Sequence, residues 1–66
     1  MGLVSMIVNY RRLEDAIYFI ETNQSKLRVS ELNEALDWAG KNPRELKGKD
    51  RKIEELLNYL KNEYMK

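Results

Sequence analysis

The sequence predicts an all-α fold, a small three-helix bundle, and three observations lead there. Apolar residues recur at spacings of three and four through three stretches of the chain. Glycine and proline are scarce, and they punctuate that pattern at Gly2, Gly40, Pro43 and Gly48. The chain has 66 residues with no cysteine and no histidine. A core of that size rarely supplies more than ~3–5 kcal/mol by itself. Without a disulfide or a histidine-based metal site, stability has to come from well-formed helices or from self-association. The expectation is a single helical domain over residues 1–66.

The first helix is expected from about residue 4. Leu3, Met6, Tyr10, Leu13, Ile17 and Ile20 fall on one face at ~100° per residue, with Ala16 at its edge. Arg11, Glu14 and Asp15 lie off that face, and Arg11 can pair with Asp15 one turn on. The alternative is a short strand at "LVSMIV", with Asn9 then capping the helix. "ETNQSK" ends the segment, because its polar side chains compete for backbone hydrogen bonds.

The second helix is expected to open on Ser30 as N-cap, with Glu31 and Glu34 in the first turn, where the helix dipole favours acids. Val29, Leu32, Leu36 and Ala39 share its apolar face, Ala35 borders it, and Gly40 stops it. The third begins on a strong signature: Asn42 caps, Pro43 takes the first helical position, and Glu45 is placed for a capping box. Leu46, Ile53, Leu56, Leu57, Leu60 and Tyr64 share one face if this helix is continuous. Gly48 inside it costs roughly 1 kcal/mol against alanine. Gly48 followed by Asp50 reads instead as a stop and a fresh start, so a break near Gly48 is favoured.

The composition excludes much chemistry. Without histidine or cysteine, nucleophilic catalysis rests on a serine or threonine with a lysine or carboxylate base, and no such constellation is visible. Ser30 serves as a cap and Ser25 as a loop residue. The pairs Glu14/Asp15 and Glu54/Glu55 are sequence neighbours, pointing ~100° apart on a helix. No phosphate-binding glycine loop or calcium-loop spacing occurs. The expectation is therefore a protein that is not an enzyme, with no catalytic, cofactor or metal site and no small-molecule substrate. The apolar run in "MGLVSMIV" is too short for a signal peptide or a membrane span. Met6 stands where a myristoylation motif needs Ser or Thr. A soluble, cytoplasmic protein is expected, with no membrane partner.

Two residue sets are candidates for contact. Tyr10 and Tyr64 sit on core faces, whereas Tyr18, Phe19, Trp38 and Tyr59 fall at or beyond the edges of theirs. Aromatic residues anchor interfaces, so these four form a candidate protein interface, with Val8 beside them. The excess of apolar residues over one small core points to a homodimer. The second set lies in "KNPRELKGKDRK", residues 41–52. It holds Lys41, Arg44, Lys47, Lys49, Arg51 and Lys52 against Glu45 and Asp50. On a continuous helix Arg44, Lys47 and Arg51 form one stripe, extended by Asn58 and Asn62, suited to phosphates and base edges. Glu45 with Lys49 and Arg51 with Glu55 can also pair along such a helix. The net charge is only +1, low for a nucleic-acid module.

"RVSELNEALDWAGKNPREL" resembles a helix-turn-helix, with "VSELNEAL" as its first helix. The resemblance covers about a third of the chain. Leu36 stands where that motif has a small residue, Lys41 where it has an apolar one, and no hairpin wing follows. No family is assigned on it. The primary expectation is a non-catalytic helical-bundle protein acting through protein–protein contacts, including self-association. The alternative is a small helix-turn-helix-like DNA-binding regulator using the 41–52 segment and the third helix.

Overall fold

The structure, a computed structural model, describes residues 2–65. Among them are four α-helices and no strand: α1 (Leu3–Asn9), α2 (Leu13–Thr22), α3 (Val29–Trp38) and α4 (Lys49–Tyr64). Single 3-10 turns lie at Gln24–Lys26 and Pro43–Glu45. The all-α expectation holds, and the count is four rather than three.

The extra helix comes from the first segment, which breaks at residues 10–12. Tyr10 and Arg12 are both extended, at ψ 137° and ψ 131°. Burial accounts for the break. On one continuous helix Ile7 and Ile20 would point ~140° apart. Split in two, the chain buries both, Ile7 at 4% exposure and Ile20 at 0%. Met6, Tyr10 and Leu13, expected in the stripe, are half-buried instead. Arg11 now precedes α2, so its helical spacing to Asp15 no longer exists.

Helix α2 ends as its polar residues suggest. The Thr22 hydroxyl donates to the Tyr18 carbonyl at 2.9 Å, and the Asn23 side-chain amide donates to the Phe19 carbonyl at 2.8 Å. These side-chain bonds cap the last turn of the helix, where the Phe19 carbonyl also accepts the Asn23 backbone N–H at 3.1 Å.

Helix α3 begins two residues earlier than expected. Arg28 occupies the cap position without a side-chain cap bond, and Ser30 lies exposed in the first turn. Apolar contact takes the place of the polar cap. Leu27 and Leu32 stand at the two positions of a hydrophobic staple, and both are buried. Val29, expected on the core face, is 45% exposed. The end of α3 is a Schellman motif. Gly40 turns at φ +80°, its N–H donates to the Asp37 carbonyl at 3.1 Å, and the Lys41 N–H donates to the Leu36 carbonyl at 2.9 Å.

The third expected helix is broken, and Gly48 is where α4 starts. Asn42 caps as expected: its side-chain oxygen accepts the Arg44 N–H at 3.2 Å. It caps only the turn Pro43–Glu45, after which Leu46 is extended and Gly48 sits at φ +92°. Asp50 lies in the first turn of α4, where its charge faces the helix dipole.

Helix α4, the longest, packs against α2 on one flank and α3 on the other, while α1 packs on α3. All four helices and Leu27 contribute to one apolar core. Among the described residues no charged or polar side chain is buried in it. Tyr64, expected in the core, is 48% exposed at the end of α4.

Candidate interaction surfaces

The four aromatic residues singled out from the sequence separate to three junctions. Trp38 ends α3 and is 44% exposed. It meets the half-buried Tyr59 of α4 edge to face, ring centroids 5.9 Å apart. Phe19 is half-buried against Tyr10, at 6.3 Å, where it closes the corner between α1 and α2. Tyr18 is 68% exposed and lines an open groove of about 570 Å³ between α2 and α4. Its companion there is Tyr64. Phe19 is thus occupied internally, and the exposed rings face two flanks of α4 rather than one patch.

The six bases of 41–52 divide equally. Three tie the segment down. Lys41 pairs with Glu55 at 3.9 Å, Lys49 donates to the Ser25 carbonyl at 3.3 Å, and Lys52 donates to the Asn33 side-chain oxygen. Glu55 therefore turns to Lys41 rather than to Arg51. Arg44, Lys47 and Arg51 are exposed and have no partner among the described residues. The break at Gly48 removes the continuous stripe expected of them. Arg44 stands on the 3-10 turn, Lys47 in the connection and Arg51 in the first turn of α4. The α3–α4 connection also departs from a helix-turn-helix. Residues 39–48 separate α3 from α4, where that motif has a turn of roughly three to four residues.

One feature of this surface was not legible in the sequence: an acid-lined trench along the α2 flank of α4. The groove holding Tyr18 and Tyr64 also carries Glu14, Asp15 and Glu21. A second groove, of about 280 Å³, carries Asp50 and Glu54, and Lys61 lines both. Lys61 pairs with Glu21 at 3.4 Å, and the Tyr64 hydroxyl donates to Glu14 at 3.5 Å. Both contacts join α2 to α4. The five carboxylates come from two helices, so no single helical wheel displays them together. Among the described residues no three of them converge as a metal-binding group. Also among the described residues, no helix is long and apolar enough to cross a membrane.

Comparison with protein-family models, with curated proteins and with solved structures returns no match for this chain.

Proposed function

We propose that this chain is a non-catalytic helical interaction module of the cytoplasm that acts through protein–protein contact, with a second copy as its first partner. The observation that carries the reading is the Trp38–Tyr59 pair. A tryptophan 44% exposed at a helix end, held in place by a ring from the neighbouring helix, presents a rigid apolar surface to the outside. Tryptophan and tyrosine dominate the energetics of protein interfaces, since each covers a large area with few rotatable bonds. Trp38 stands outside the core, whose leucines on the same two helices, Leu36, Leu56 and Leu60, are all at 0% exposure. The Trp38 indole N–H resonance tests this. It should shift on dilution of the protein, and a shift independent of concentration and of added protein partners would count against the reading.

The DNA-binding alternative rests on one observation, the three exposed and unpartnered cations Arg44, Lys47 and Arg51. It stands second because the net charge is +1 and because the helical stripe it relied on is broken at Gly48.

A further inference from the structure

The charges of this chain are segregated in space. The trench along α2 and α4 holds five carboxylates, Glu14, Asp15, Glu21, Asp50 and Glu54, against the Lys61 ammonium and the Arg12 guanidinium, which pairs with Glu14 at 3.5 Å at the trench's edge. That leaves three negative charges in excess on one flank of a chain whose net charge is +1. The segment 41–52 holds six bases against two acids, four positive charges in excess, with Asp50 belonging to both regions. Three of those bases, Arg44, Lys47 and Arg51, are exposed and unpartnered around the bend at Gly48.

We infer that the acidic trench of one copy receives the basic bend of a second copy. The acids are strung along the trench instead of converging on a point, which suits several cations on an extended segment and not a single ion. Tyr18 and Tyr64 give the trench exposed ring faces, the kind of surface over which a guanidinium settles. Arg44 and Lys47 stand between Gly40 and Gly48, both at positive φ, and Arg51 follows in the first turn of α4. The contact is head-to-tail: each copy offers one trench and one bend, so association propagates from copy to copy unless the rotation closes a ring. This contact is separate from the Trp38 surface, and it rests on the proposed function only in taking a second copy as the partner.

Two variants test it. In the first, Glu14→Gln, Asp15→Asn and Glu54→Gln neutralise the trench and leave the Lys61–Glu21 pair in place. In the second, Arg44→Gln, Lys47→Gln and Arg51→Gln neutralise the bend. All six side chains are exposed, the exposed Arg12–Glu14 pair adds little stability, and a glutamine at position 14 can still accept from the Tyr64 hydroxyl, so the fold is left intact. Each variant alone should self-associate at least about tenfold more weakly than the parent chain, because charge complementarity is lost on one side of the contact. Mixed together in a Trp38→Ala background, they should form a one-to-one pair and nothing larger. The mixture retains one intact trench and one intact bend, on different molecules. That pair should weaken as salt is raised, as exposed charges are screened beyond ~10 Å at 0.1 M ionic strength. A mixture that stays monomeric, or variants that associate like the parent chain, would overturn the inference. Trp38→Ala, measured beside them, keeps the two readings apart. Association lost in Trp38→Ala but untouched in both charge variants defeats the trench contact and leaves the aromatic one. Association kept in Trp38→Ala, lost in each charge variant and restored on mixing does the reverse.

Discussion

Trp38 and Tyr59 meet edge to face across the seam of α3 and α4, their ring planes inclined at 82°. That geometry sets the positive edge of one ring against the negative face of the other. A double-mutant cycle with Trp38→Leu and Tyr59→Leu should therefore give a coupling of about 0.5–1.5 kcal/mol in urea unfolding. Additive single changes would mean that the rings merely lie side by side.

Gly48→Ala should destabilise the fold by about 1–3 kcal/mol, because φ +92° with ψ 146° is a region essentially reserved for glycine. Open space surrounds the position, so the cost is backbone strain and not a clash. Gly40→Ala, at φ +80° in the Schellman turn, should cost about 1–2 kcal/mol for the same reason. A rise in the urea midpoint of Gly48→Ala would mean that the helix runs on through residue 48.

How far these features could be read in the sequence depended on whether their cause was local. Gly40, Asn42 with Pro43, and the polar run after α2 announce chain ends through backbone chemistry within a few residues. Gly40 and the polar run act where the sequence placed them, while Asn42 and Pro43 start only the turn Pro43–Glu45 and not the helix expected there. The break at residues 10–12 has no such marker. Leu3, Met6, Tyr10 and Leu13 make an unbroken helical stripe, and only the gain from burying Ile7 against the other helices interrupts it. Val29 lost its expected core place for a similar reason: the sequence shows two apolar residues flanking Arg28, and the packing of α3 covers Leu27 and leaves Val29 outside. The candidate surfaces were legible only in part. Trp38, Tyr59 and Tyr18 were visible as misfits on their own helices. The trench was not, since its acids meet only when α2 lies beside α4.

The burial of Leu27 rather than Val29 has a measurable consequence. Leu27 is 6% exposed, and Leu27→Ala should cost about 2–5 kcal/mol, a large share of the stability of so small a domain. Val29→Ala, at an exposed site, should stay within about 0.5 kcal/mol of the parent. Urea titrations followed by circular dichroism decide it, and the opposite ranking would return Val29 to the core.

Replacing Arg44, Lys47 and Arg51 together by glutamine should leave stability nearly unchanged, since none of the three has a partner to lose. On random duplex DNA at physiological salt, both the parent and this variant should bind weakly. Micromolar binding by the parent, lost in the variant and falling steeply with salt, would promote the DNA-binding reading to first place.

The most direct measurement is sedimentation equilibrium of the parent chain from tens to hundreds of micromolar, run beside Trp38→Ala. Protein–protein contact through the aromatic surface predicts a mass that rises above the monomer with concentration, and a clear weakening of that rise in Trp38→Ala. A strictly monomeric parent across the whole range, matched by an equally monomeric variant, would contradict self-association.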